Sequence, residues 1–416
     1  MGLSLGVDVG GSAVKWTLLE ENGERAAEGS LPTPRTGPEA VVDAIGGLVV
    51  PEVQRIGVAL PGHVDRARGT VLYVPALHGA AWPGYGLADR LATRTGVPRV
   101  TVVNDALSFG LAELRLGAAA GRQECLFVVL GTGVGGAVAL GGRMLVGGRD
   151  SLGQIGHLTV DPEGPRCVCG NLGCVEAYAG ARGLVAAYRR ASAPARVEDG
   201  ADEAARTADG AAETTQTADG AAEVAQTADG PAEVAQTPDG PAAPAADASR
   251  AAPDGPGARL PRSDPSRADA HRPQTPAPRD LTARDVAAAA RAGDPAALAA
   301  FGSAGRALGR GLGDGLAVFG QQRVVVGGGL AGALPLLRPW VERELARRHE
   351  LLGPCTVEPA ALGPIAGAVG AALWAREAES RAAAPWAPDP RAPARSPATP
   401  PRQPTPDPSD SYEGAR

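Results

Sequence analysis

The stretch from Gly153 to Glu176 constrains this chain more than any other. Three of the five cysteines, Cys167, Cys169 and Cys174, fall within eight residues, and His157 stands ten residues before the first of them. Three thiolates and one imidazole make a donor set suited to a tetrahedral structural zinc ion. Gly170 and Gly173 let the backbone turn tightly between the sulfurs. The alternative is an apolar loop that merely holds cysteines. The tight spacing, the glycines and the nearby histidine favour the metal.

Composition bounds the rest. At about 150 residues per domain, 416 residues leave room for two or three domains. Apolar residues reach 44%, enough for a core, but aromatics only 3%, so that core is mainly Ala, Val and Leu. A net charge of −6 and the lack of a basic stripe argue against nucleic acid as a partner. No run of 18 apolar residues marks a membrane span. Met1 leads straight into a strand-like segment without a cationic start or cleavage site, so no signal peptide is expected. Clustered cysteines suit a reducing cytoplasm and a metal site better than a disulfide framework.

Taken in order, the pattern is that of an α/β protein. Residues 3–9 read as a buried strand and 13–19 as a second, joined through Gly10, Gly11 and Ser12. Glycines there let backbone N–H groups approach a phosphate, although a plain hairpin turn explains them equally well. The Gly-Lys-Ser/Thr ending of a Walker loop is absent, and Lys15 lies on the second strand. Helices are expected at 38–50, 87–95 and 106–116, strands at 55–60 and 99–103, and a turn at Pro61–Asp65. Asn104 and Asp105 end the strand at 99–103. A polar pair at the carboxyl end of a buried strand is where open α/β sheets carry their chemistry, and equally where a helix takes its N-cap.

The second half repeats the design. A strand at 125–130 leads into Gly131, Thr132, Gly133, Val134, Gly135 and Gly136, then a strand at 137–140. Two glycine-rich hairpins, one opening each half, can close on opposite sides of a polyphosphate. A helix is expected at 175–191. From about 195 to 280, Asp-Gly recurs every ten residues, at Asp199, Asp209, Asp219, Asp229 and Asp239. That segment lacks the apolar side chains to offset its ordering entropy, so it reads as a disordered insertion. A short-repeat β-solenoid is the alternative. Helices are expected again at 285–292, 295–319 and 334–347, strands at 323–326 and 355–359, and a last helix at 363–379. Residues 382–416, rich in Pro, Ala and Arg, read as a disordered tail.

Together these motifs, in this order, resemble the ROK family (repressors, open reading frames, kinases), and within it the glucokinase-like sugar kinases. The carriers are Asp8 to Lys15, Leu60 to Asp65, Asn104-Asp105, Gly131 to Gly136, Gly156-His157, Cys167 to Glu176, and Gly327 to Leu330. The likeness covers roughly residues 3–192 and 281–378. It implies an actin-like, hexokinase-type ATPase fold, with two α/β domains around a central cleft. One would be residues 1–113, completed by the terminal helix at 364–379. The other, at 114–363, would hold the zinc motif and the insertion. The resemblance implies ATP- and Mg²⁺-dependent phosphorylation of a hexose hydroxyl by a cytoplasmic homo-oligomer, a dimer or tetramer.

By the same resemblance, Asp105 would be the general base. Gly62, Asn104, Gln154, His157 and Glu176 would contact the sugar. Gly10, Gly11, Ser12, Lys15, Gly131, Thr132 and Gly133 would serve the phosphates. Asp8 would help place the magnesium ion, and Gly328 and Gly329 would lie near adenosine. His157, Cys167, Cys169 and Cys174 would hold the zinc.

The chain departs from the family where the sugar would lie. Gln154 replaces the glutamate of Glu-x-Gly-His, and Ala76 stands where a sugar-binding asparagine is usual. These substitutions motivate two competing readings: a kinase for a hexose derivative other than glucose, and a sugar-binding protein with weak or no kinase activity. A transcriptional regulator of this family would need a DNA-binding segment before the first hairpin, which Asp8 follows too early to allow. Polyphosphate as donor stays open.

Overall fold

The computed structural model describes residues 2–79, 81–147, 149–150, 152–193 and 281–382. The expected repeat insertion, and the tail beyond Ala382, lie outside them. The described chain contains two five-stranded sheets and a two-stranded ribbon.

The first sheet runs β3-β2-β1-β4-β7. Its strands are β1 (Leu3–Val9), β2 (Ala13–Leu19), β3 (Arg25–Pro32), β4 (Val53–Leu60) and β7 (Val100–Asn104). β5 (His63–Asp65) and β6 (Thr70–Tyr73) form the ribbon. The second sheet runs β10-β9-β8-β11-β12, with β8 (Cys125–Leu130), β9 (Val134–Leu140), β10 (Arg143–Met144), β11 (Arg323–Gly327) and β12 (Thr356–Pro359). Each sheet begins with antiparallel partners, β1–β2–β3 and β8–β9–β10. Each then continues in parallel, through β4 and β7 or through β11 and β12. The repeat seen in the glycine hairpins is thus a repeat of whole-sheet topology.

Strand alternation sorts the core into layers. Val58 and Val102 face one way, against α1 (Pro38–Gly46) and α2 (Leu87–Thr95). Their neighbours Ala59 and Val103 face the other way, against α3 (Asp105–Leu116) and the terminal α10 (Ala366–Ala382). In the second sheet Cys125, Phe127 and Val325 point at that same pair of helices. Leu126, Val128, Val324 and Val326 point outward. There they meet α4 (Val175–Ala179), α6 (Ala283–Arg291), α7 (Pro295–Phe319) and α8 (Leu334–Ala346). α5 (Ala181–Ser192) and α9 (His349–Leu352) flank that layer. Two helices sandwiched between two sheets of like topology make an actin-like, hexokinase-type fold.

An aromatic-poor core needs close backbone approach. A side chain at Gly57 of β4 would collide with the backbone of Ala371, so α10 lies directly on the sheet. No helix among the described residues is long and apolar enough to cross a membrane.

One strand is added to the expected elements, and two expectations are corrected. β3 carries no apolar run; it is an edge strand held by its ladder to β2, with alternate side chains exposed. Pro61–Asp65 is not only a turn, because His63–Asp65 pairs with β6. The helix expected at 175–191 is two, broken at Gly180, whose extended backbone (φ −70°, ψ 157°) begins α5 anew.

Candidate active site

Both glycine hairpins open into one cleft of about 520 Å³. In the first, Gly10 N–H bonds to the Ala13 carbonyl at 3.0 Å. Thr33, just past β3, donates its hydroxyl to the Gly10 carbonyl at 2.6 Å, and its N–H meets the Ser12 carbonyl at 3.2 Å. In the second, Gly131 N–H bonds to the Gly133 carbonyl at 2.9 Å. Glu176, in the first turn of α4, accepts the Val134 N–H at 2.8 Å. A side chain on Gly133 would strike that carboxylate. The α4–α5 break braces the same hairpin, since Ala181 N–H bonds to the Gly131 carbonyl at 3.0 Å.

The polar pair at the end of β7 divides its duties. Asn104 is the N-cap of α3: its side-chain oxygen accepts the N–H groups of Ala106 and Leu107 at 2.9 and 3.2 Å. Its amide nitrogen donates to the Gly62 carbonyl at 2.8 Å and to Asp105 Oδ1 at 3.0 Å. Asn104 is therefore buried and engaged, and it orients its neighbour. Asp105, whose Oδ1 also accepts the Ala106 N–H at 2.9 Å, lines the cleft. Burial and, next, the negative charge of Asp8 push its carboxyl up to about 7. A carboxylate poised near neutrality is suited to proton abstraction.

Asp8 sits opposite Lys15 in the β1–β2 ladder. Its carboxylate abuts Gly367 at the start of α10. Burial raises its pKa, against the pull of Lys15. Gly328 follows β11 and has a positive φ of 93°. It packs on the Leu130 backbone, and Leu330 N–H bonds to the Leu130 carbonyl at 2.9 Å. The glycine turn at 327–329 thus abuts the base of the second hairpin and, unlike Gly131 and Thr132, lies outside the cleft lining. Asp8, Ser12 and Lys15 are likewise outside the lining.

The cysteine loop closes the other side. The ligand atoms of His157, Cys167, Cys169 and Cys174 all lie within 4.8 Å of one another. His157 Nδ1 is 3.7 Å from Cys167 Sγ, and Cys169 Sγ is 3.7 Å from Cys174 Sγ. Zinc–sulfur bonds of about 2.3 Å in a tetrahedron imply sulfur–sulfur edges of roughly 3.8 Å, so the set fits that ion. The sulfurs differ: hydrogen bonds lower the Cys169 thiol against its burial, whereas burial, then neighbouring sulfurs, push the Cys174 thiol up to about 12. A cation would reverse that. With Nδ1 toward the sulfurs, the other ring nitrogen of His157 is left for the cleft, which His157 and Gln154 both line.

Sequence reasoning did not single out several cleft residues. Tyr73 and His63 stack with ring centroids 6.1 Å apart, and both line the cleft. Burial and the nearby charges of Arg149 and His157 keep the His63 pKa low. Arg182 and Arg190 line it from α5. Thr33 carries no motif at all. A second concavity of about 450 Å³ includes Arg55, Arg115 and Arg376. Their charges are matched by Glu21 and Glu377, and none of the chemistry above lies there.

The sequence matches the ROK family over residues 4–229 and 266–378. It is 35% identical over 187 residues to a glucokinase of Streptomyces coelicolor, a match covering 44% of this chain and 57% of the relative. It is 36% identical over 185 residues to an N-acetylmannosamine kinase of Escherichia coli strain SE11, covering 43% of this chain and 62% of the relative. These matches therefore span less than two thirds of the relatives' length. Among solved structures, a ROK family glucokinase from Streptomyces griseus, in complex with glucose and AMPPNP, superposes with a TM-score of 0.61 at 27% identity. That match covers 90% of this chain and all of the other (100%). A ROK hexokinase from Thermus thermophilus gives 0.61 at 27% identity, over 91% and 99%. With its motifs, its two like sheets and these matches in agreement, the chain belongs to the ROK family.

Proposed function

We propose that this protein is an ATP-dependent sugar kinase with Asp105 as general base. The observation that carries this reading is Asp105 itself: a carboxylate pushed up to about 7, held by a capped helix, in a cleft shared by two glycine hairpins. Phosphoryl transfer asks for positioning and charge stabilisation rather than covalent help. The hairpin backbones around Gly10, Gly11 and Gly131–Gly133 would hold the phosphates. Asp105 would take the proton from the attacking hydroxyl. Asp8 would serve a magnesium ion, which neutralises phosphate charge when bound. Zinc on His157 and the three cysteines would brace the sugar side and take no part in the reaction. The glucokinase and N-acetylmannosamine kinase relatives support the substrate class.

Gln154 and Ala76 favour a sugar other than glucose. A glutamine offers one acceptor and two donors where a glutamate offers two charged acceptors. It suits a sugar presenting an acceptor, such as an acetamido carbonyl, and Ala76 leaves room beside it. The test is ADP release with ATP and magnesium across glucose, mannose and their N-acetylamino derivatives. An N-acetylamino sugar is expected to outperform glucose. Nucleotide turnover unaffected by every sugar would leave only the sugar-binding reading.

A further inference from the structure

Asp150 takes no part in the chemistry above. Among the described residues it alone, apart from glycines, has a positive φ, 49°. Aspartate tolerates that conformation better than most side chains, but glycine would hold it without strain. What glycine lacks is the carboxylate, and here the carboxylate is buried, with the residue 3% exposed. Oδ1 pairs with Arg66 Nε at 3.4 Å. The backbone N–H of Asn104 faces the same carboxylate. Oδ2 is buried with no protein partner. Arg66 is fixed in turn, its guanidinium 4.6 Å from the ring centroid of Trp374 on α10.

These contacts form a chain from α10 through Arg66 and Asp150 to Asn104, which caps α3 and precedes Asp105. Along the sequence, Asp150 lies four residues before Gln154, in the loop that leaves β10. The backbone of its neighbour Arg149 lies beside His63 of β5. One strained turn thus touches the base's support on one side and carries a candidate sugar contact on the other.

We propose that Asp150 is a positioning residue: its carboxylate, paired with Arg66 beside the Asn104–Asp105 corner, holds the nearby Gln154 in place, so that Gln154 and Asp105 meet the same sugar. The proposal rests on the sugar-kinase reading. In the zinc-loaded full chain, Asp150→Gly removes both the carboxylate and the strain. The ligand-free Tm is expected not to fall, while KM for the preferred sugar rises about tenfold, as for loss of one charge-assisted contact. KM for ATP should stay within about twofold, because the nucleotide side is untouched. Asp150→Asn keeps an acceptor and tolerates the same backbone, so it should recover most of the loss. Arg66→Met added to Asp150→Gly should change sugar KM little further. A Tm lowered by more than about 5 °C, with both KM values moving together, would make Asp150 merely structural and overturn the proposal. So would an active wild type whose constants Asp150→Gly leaves unchanged. A wild type without sugar-stimulated ADP release is a different result, and it refutes the kinase reading itself.

Discussion

At the reaction corner two carboxylates set the terms. Asp105 is buried and feels Asp8, so its folded pKa lies near 7, above its ordinary value of 3.8. The ionised form that would serve as base is therefore the form the fold disfavours. That cost is absent below about pH 4 and fully present above about pH 7. Asp105→Asn should then be at least as stable as wild type at pH 8, by up to about 4 °C in Tm. The gap should close as pH falls toward 4. Its turnover should drop by about 10²–10⁴, and wild-type kcat/KM should rise with pH through about 7. A Tm comparison at two pH values and a pH–rate profile check both signs. Gln154 gives a second prediction: Gln154→Glu should raise kcat/KM for glucose roughly ten- to a hundredfold, the value of one charge-assisted hydrogen bond. A variant equal to wild type on glucose would make the glutamine a neutral replacement. From sequence, Asp105 could be a base or a cap. The fold gives the cap of α3 to Asn104, while Asp105 Oδ1 accepts the Ala106 N–H beside it. His63, Thr33 and Asp150 were illegible, since each matters through partners distant in the chain.

Among the elements, the loops rather than the strands hold the site together. The cysteine loop was legible because metal chemistry fixes residue types and spacing locally. Its link to the second hairpin, through Glu176 and Val134, was not, because nothing in the spacing announces a side chain bonded to a backbone 42 residues away. Cys169→Ser should lose a zinc ligand, and metal analysis should read one zinc per wild-type chain and less in the variant. The loss should raise sugar KM more than ATP KM. Thr33 makes the complementary case on the other hairpin. Thr33→Val keeps the shape and deletes the hydroxyl that holds the Gly10 carbonyl. Losing about 1 kcal/mol there should raise KM for ATP about fivefold and leave sugar KM nearly unchanged. β3 was missed because an edge strand with a solvated face needs no apolar run.

Across the whole molecule, two sheets share α3 and α10, and buried Glu113 ties that layer together. Its oxygens accept the N–H groups of Ala118, Ala361 and Leu362 at 2.8, 3.0 and 2.9 Å. Glu113→Gln turns an amino group toward backbone donors, which should cost about 1–3 kcal/mol and appear as a lower Tm. The duplicated plan was legible from two strand–glycine–strand units. The layering was not, because it depends on which face of each strand meets α3 and α10. The central claim is that this arrangement phosphorylates a sugar. The most direct measurement is ADP release by wild type and Asp105→Asn, with ATP, magnesium and each sugar of the panel in turn. The account predicts sugar-stimulated release by wild type, reduced at least about a hundredfold in the variant. Release that no sugar stimulates, or that Asp105→Asn sustains at the wild-type rate, would contradict it.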